Sequence, residues 1–226
     1  MSDKQVSIVT IDGPGGAGKG TVSQIVAERL GWHYLDSGAL YRLAGLYFEQ
    51  QNIDDVAAHA QSLIPTMQVK FVSGQEVYLN GENVGLEIRT ESAGNRASKV
   101  AAVDEVRQAL LEWQRSFCQS PGLVAEGRDM GTVVFPVATA KIFLTASSQE
   151  RASRRYKQLR EKGLQVRMRD LLDEIEERDQ RDANRSIAPM KAADDALILD
   201  SSNQSIDEVV SELLTYLESK GIRTDE

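Results

Sequence analysis

A glycine-rich run, Gly13-Pro14-Gly15-Gly16-Ala17-Gly18-Lys19-Gly20-Thr21, constrains this chain more than any other feature. The residues before it, Val6-Ser7-Ile8-Val9-Thr10-Ile11, are β-branched and make a run short enough for a buried strand. After it, Val22, Ile25, Val26 and Leu30 recur at helical spacing from Thr21 to Leu30, and Gly31 is a suitable stop. Strand, glycine loop, lysine, hydroxyl and helix form the context of a phosphate-binding loop. Glycines let successive backbone N–H groups turn around an anion without Cβ clashes. The helix N-terminus adds partial positive charge, and Lys19 adds a full charge aimed at the β- and γ-phosphates. The run therefore implies a bound nucleoside triphosphate, with Gly13 to Thr21 as its cradle.

One position departs from the general pattern. The residue after the lysine, usually Ser or Thr on Mg²⁺, is Gly20, and the hydroxyl comes at Thr21. Glycine offers no side-chain ligand, so Mg²⁺ is expected on nucleotide phosphates and water, with no protein ligand. The Gly-Lys-Gly-Thr spelling resembles nucleoside monophosphate kinases more than GTPases or motor ATPases.

The remaining chain reads as α/β. Further strands are expected at His33–Leu35, Leu123–Glu126, Lys141–Thr145 and Ala196–Leu199, with helical patterns between most of them. The last helix is introduced by a capping box, Ser205 with Glu208, and its stripe is Ile206, Val209, Val210, Leu213, Leu214 and Leu217. Between about 63 and 98 the period changes to two. Met67, Val69 and Phe71 alternate, Ser73-Gly74 makes a turn, Val77 and Leu79 alternate, and Asn80-Gly81 suits a type I′ turn. A helix with Val103, Val106, Leu110, Trp113 and Phe117 on one face follows. The expected architecture is one domain over 1–226: a parallel sheet flanked by helices, a small antiparallel inserted subdomain at 63–98, and a short lid at 154–169.

Charge excludes some partners. The net charge of −8 over 226 residues argues against a nucleic acid polymer as partner. No apolar run approaches membrane-spanning length, and the first residues lack a leader's apolar stretch. The single cysteine, Cys118, can form no internal disulfide and reads as a buried, inert thiol in a cytoplasmic protein. Residues 151–185 reverse the overall sign, with eleven Lys and Arg against eight Asp and Glu, and nine of the eleven are arginine. The guanidinium fork matches phosphate oxygens, so these arginines point to phosphate clamping, while Asp173 to Glu177 read as a solvated face.

Four segments together carry a family resemblance: the glycine loop, Leu35-Asp36-Ser37-Gly38-Ala39-Leu40-Tyr41-Arg42, Gly127-Arg128-Asp129-Met130-Gly131-Thr132 with the Val133-Val134-Phe135-Pro136 that follows, and Glu177-Arg178-Asp179-Gln180-Arg181-Asp182-Ala183-Asn184-Arg185. In this order the chain resembles bacterial cytidylate kinases over nearly its whole length. The resemblance implies transfer of phosphate from ATP, with Mg²⁺, to CMP or dCMP by a monomer. It implies that Arg42 and Arg128, with Ser37 nearby, hold the acceptor phosphate, and that Ser98, Arg107 and Asp129 read the cytosine edge. Cytosine offers an N4 donor and N3 and O2 acceptors, which suits Asp against Arg and Ser. Uracil would set a carbonyl against Asp129, a mismatch on the scale of about 10⁴-fold discrimination. It further implies that Arg178 and Asp182 face the nucleotide sugar, and that Lys19, Arg155, Arg178 and Arg185 act in transfer. Many relatives carry Asp where this chain has Glu126.

Alternatives stay open at this point. Ser37 could cap a helix, Arg128 and Asp129 could pair with each other, and Arg107 could lie on a wet helix face. A kinase for another acceptor, such as shikimate, and an ATP-responsive binding module that transfers nothing also fit the glycine loop.

Overall fold

The computed structural model describes residues 6–72, 76–161 and 163–223. It comprises two compact units: Ser37–Gln114 forms one, and the segments on either side of it form the other. The second of these is built on β1 (Ser7–Asp12), which ends in the glycine loop and leads to α1 (Lys19–Leu30) and β2 (His33–Asp36).

The chain then builds the 37–114 unit from α2 (Ser37–Gln50), α3 (Val56–Leu63), β3 (Val69–Phe71), β4 (Val77–Leu79), β5 (Glu82–Asn83), α4 (Glu91–Val100) and nearly all of α5 (Asp104–Ser116). It is wider than the segment 63–98 because Leu40, Leu43, Leu46 and Phe48 of α2 are buried, and α2 packs on α4. Its sheet is antiparallel in the order β3-β4-β5. Asn80 and Gly81 join β4 to β5 with φ of 50° and 87°, the positive values a type I′ turn demands. The expected Ser73-Gly74 turn lies outside the described residues.

On return to the first unit come β6 (Gly122–Gly127), β7 (Ala140–Thr145), α6 (Ser148–Glu161), α7 (Met168–Ala183), β8 (Leu197–Asp200) and α8 (Ile206–Ser219). All five of its strands are parallel, in the order β2-β6-β1-β7-β8. Strand β1 is central, and Val9 and Ile11 on it are completely buried. They pack with Val22, Val26 and Leu30 of α1 and Val209, Val210, Leu213 and Leu217 of α8 in one apolar cluster. Ile206 is not part of that stripe: at the first turn of α8 it is 49% exposed, ahead of the point where the helix meets the core. The Ser205–Glu208 capping box is formed as expected. Among the described residues no helix is long and apolar enough to cross a membrane.

Two glycines turn the chain where α1 and β1 end. Gly31 ends α1 in the left-handed conformation at φ 62°, its N–H satisfying the carbonyls of Ala27 and Glu28. Gly13 leaves β1 at φ 143°, and a Cβ there would stand 2.0 Å from the Leu144 carbonyl oxygen. That contact is backbone on backbone, so no rotamer relieves it. Gly13→Ala is therefore expected to cost on the order of 3 kcal/mol, roughly 6–12 °C in thermal midpoint for a chain of this size. An unchanged midpoint by circular dichroism would contradict the close approach of β1 and β7.

Candidate functional site

The loop lies at the C-terminal end of the central strand, where open parallel sheets bind ligands. Helix α1 begins at Lys19, two residues before the apolar pattern suggested, with Gly18 at φ 96° as its N-cap. The first-turn N–H groups of an α-helix have no intrahelical partner, and here they belong to the loop itself. Thr21 is exposed on that turn, and Gly16 is the exposed crest of the loop. Lys19 is only 6% exposed, and its ammonium donates to the Pro14 carbonyl at 2.8 Å.

Two guanidiniums close over the same loop. A methyl group at Gly15 would lie 3.3 Å from Nη2 of Arg128 and 3.7 Å from Nη1 of Arg178. Arg128 leaves the end of β6, and Arg178 projects from α7, so two distant segments converge on one glycine. Arg128 Nε donates to Asp182 Oδ2 at 3.0 Å, and Arg185 stands 3.8 Å from the other oxygen of that buried carboxylate. Arg128 thus pairs with Asp182, 54 positions along the chain. Asp129 is buried at the turn that follows β6, and a single π-helical turn, Met130–Val134, begins immediately after it.

The charges are tightly coupled. Burial, and then the positive charge of Arg128, bring the Lys19 ammonium down to about 7. Burial, and then repulsion from Asp36, raise Glu126 to about 7, with Lys19 opposing that rise. Asp12 at the end of β1 is also raised to about 7 by burial, although the N–H groups of Met130 and Gly131 both donate to it at 2.8 Å. Glu126 accepts from the Tyr34 hydroxyl, and its carboxylate would touch a Cβ placed on Gly20 at 3.2 Å. That contact is a physical reason for glycine after Lys19: the space where other loops carry a hydroxyl is taken by a carboxylate from β6.

Four of the other expected site residues, Ser37, Arg42, Ser98 and Arg107, lie in the 37–114 unit. Ser37 opens α2, is buried, and donates to Gln114 Oε1 at 2.9 Å, so it is engaged by α5. Arg42 Nη1 donates to the Ile88 carbonyl at 3.1 Å. Ser98 is buried on α4. Arg107 is 6% exposed, 5.7 Å from the centroid of the Tyr41 ring, and donates to the Ala101 carbonyl at 3.4 Å. Burial rules out a wet-face role for it. Ser98 and Arg107 therefore share one unit, and Asp129 belongs to the other. Arg155 lies on α6 and donates to Gln158. The Cys118 thiol is half-buried, not buried, because it lies just past the end of α5. No group of three or more His, Cys, Asp or Glu among the described residues is arranged to hold a metal ion.

Roles for Asp12, Tyr34 and Asp179 were not expected, and Arg151, counted among the phosphate-clamping arginines, instead bonds Ala146, Gly15 and Asp179. Asp12 had a signal, a carboxylate closing an otherwise apolar strand just before Gly13. The other three act through partners 28 to 136 positions away, which no local pattern records.

A polyanion bound here would raise the pKa of Lys19, Asp12 and Glu126 alike. At pH 8 the nucleotide phosphates are already ionised, since their last pKa is near about 6. Binding of metal-free ATP at pH 8 should thus take up about one proton, chiefly on Lys19. Calorimetry in buffers of differing ionisation enthalpy measures this, and zero uptake would contradict the site's electrostatics.

A family model for cytidylate kinase matches residues 9–219. The chain is 54% identical over 217 residues to the cytidylate kinase of Aeromonas salmonicida, covering 94% of each chain. It is 52% identical over 223 residues to that of Nitrosococcus oceani, covering 96% of this chain and 98% of the relative. Against that of Vibrio parahaemolyticus the identity is 54% over 220 residues, with 96% and 97% covered.

Proposed function

The chain belongs to the cytidylate kinase family, and we infer that it transfers the γ-phosphoryl group of ATP to CMP or dCMP, giving ADP and CDP or dCDP. The observation that carries this reading is the approach of Arg128 and Arg178 to Gly15, beside the buried Lys19. Cations gathered at a glycine loop suit an anion with several negative charges. A binding module that only senses ATP needs no such second set of arginines.

The chemistry asks little of the protein beyond position and charge. The acceptor phosphate is ionised near neutral pH, so no general base is required. The loop N–H groups and Lys19 hold the donor phosphates. Arg178 from α7 and Arg185 just beyond its end, with Arg155 from α6, neutralise charge on the migrating group. Arg42 and Arg128, with Ser37, hold the acceptor phosphate, and Arg178 and Asp182 border the sugar. Ser98, Arg107 and Asp129 read cytosine through one acceptor and two donors matched to its edge. Segment 154–169 serves as the lid that excludes water. Gly163, at φ 77°, turns the chain within that segment between the two arginine-bearing helices.

Mg²⁺ suits the donor set. Asp36 and Glu126 are opposite one another at the ends of adjacent strands, and Glu126 borders Gly20. Carboxylates so placed can accept from metal-bound water while the phosphates ligate the ion, and the ion would offset phosphate charge. A monomer acting in the cytoplasm fits this reading.

A coupled assay for ADP release, with CMP, dCMP, UMP, AMP and shikimate as acceptors, tests the reading. Turnover should be confined largely to CMP and dCMP, and preference for another acceptor would overturn it. Arg128→Ala should lower kcat/KM on the order of 10³-fold, with the fold kept because Arg185 remains beside Asp182. Asp129→Ala should lose more activity on CMP than on UMP, and equal losses would remove Asp129 from base reading.

A further inference from the structure

Arg151 has no place in the scheme above, yet it is 4% exposed and its guanidinium serves three elements. Its Nε donates to the Ala146 carbonyl just beyond β7 at 2.9 Å. Nη1 donates to the Gly15 carbonyl of the glycine loop at 3.0 Å and to Asp179 Oδ1 at 3.2 Å, and Nη2 donates to Asp179 Oδ2. The stem of the same side chain lies along the loop, since a Cβ on Gly16 would stand 3.3 Å from Arg151 Cβ and 3.6 Å from Cγ.

These contacts carry two consequences. The Gly15–Gly16 peptide is trans, so its C=O and N–H point in opposite directions. By holding the Gly15 carbonyl, Arg151 sets the direction of the Gly16 N–H, one of the loop groups available to an anion. Asp179 follows Arg178 directly on α7 and precedes Asp182 by one turn. The same guanidinium therefore ties the loop to α7, which carries Arg178 and Asp182 and ends just before Arg185. Arg151 is withdrawn from water while Asp179 is 23% exposed, and removing a charge from water is costly unless its geometry is well satisfied, which favours a positional role over a merely stabilising one.

We propose that Arg151 and Asp179 form a positioning clamp that orients the Gly15–Gly16 peptide toward the donor phosphates and holds α7 in register with it. The clamp touches neither reacting atom; it acts through the loop amide and through Arg178. The proposal rests on the kinase reading, and turnover of CMP by the native protein tests that reading separately.

Arg151→Lys keeps the charge and most of the stem, but one ammonium cannot serve all three acceptors in the fork's geometry. Misplacing reacting groups by about 1 Å costs about 10²-fold, so kcat should fall about 10²-fold. KM for ATP should rise about tenfold, with KM for CMP changed less than about twofold. Asp179→Asn should move the same parameters in the same direction. The double variant should be no worse than the poorer single variant, because both break one clamp. Asp195→Asn, which breaks the Lys141 ion pair away from the loop, should leave both constants unchanged. Thermal midpoints confirm that each variant is folded. Native kcat and KM in folded Arg151→Lys would overturn the proposal, as would single-variant losses that multiply in the double.

Discussion

Like charges gather in a protein interior only when the chain compels them to, and the rest of this structure turns on such a gathering. Lys19, Arg128 and Arg178 crowd around Gly15, and burial leaves little water to screen them. The chain supplies partial compensation: Asp182 takes Arg128, while Glu126 and Asp12 act on Lys19. The compensation is incomplete, and the site shows it. Lys19 is brought down to about 7 while Asp12 and Glu126 are raised to the same region, so small additions of charge change who holds the protons. On the proposed reading, a polyphosphate is the addition that would relieve this crowding of positive charge.

The parallel sheet makes the gathering possible. Strands β1 and β6 run side by side, so Asp12 at the end of one lies against Gly127 at the end of the other. The Asp12 carboxylate then receives the amides of Met130 and Gly131 and fixes the turn that presents Arg128 and Asp129. From the opposite direction, α6 and α7 bring Arg151, Asp179 and Arg178 to the same loop. Glycine at positions 13, 15 and 16 leaves the room these approaches need, and at 20 it leaves room for Glu126.

Much of this was legible in the sequence wherever the physics is local. The glycine loop, the strands of the parallel sheet, the type I′ turn at Asn80-Gly81 and the Ser205–Glu208 cap are each written in a few adjacent residues, and the structure has them. Boundaries were less legible. Helix α1 starts at Lys19 because anion-loop geometry, not apolar spacing, sets its first turn. Ile206 fits the helical period of α8 yet faces solvent, since periodicity says nothing about where a helix reaches the core. The charged network was least legible. Arg128 meets Asp182 across 54 positions and Arg151 meets Gly15 across 136, and composition alone could offer only a cluster of arginines without partners. Gly20 was read as the loss of a metal ligand, whereas the structure adds its cause in the carboxylate of Glu126.

The central claim is that one cation cluster accommodates the phosphates of both nucleotides during transfer. An analogue joining adenosine and cytidine through five phosphates probes that claim in a single binding measurement. The account predicts that the native protein binds it at least about 10²-fold more tightly than ATP, as an enzyme complementary to its transition state should. It predicts also that Arg178→Met weakens binding of the joined analogue by a larger factor than it weakens binding of ATP. Equal affinity for the joined analogue and ATP would show that the arginines over Gly15 do not bridge the two substrates, and would contradict the account.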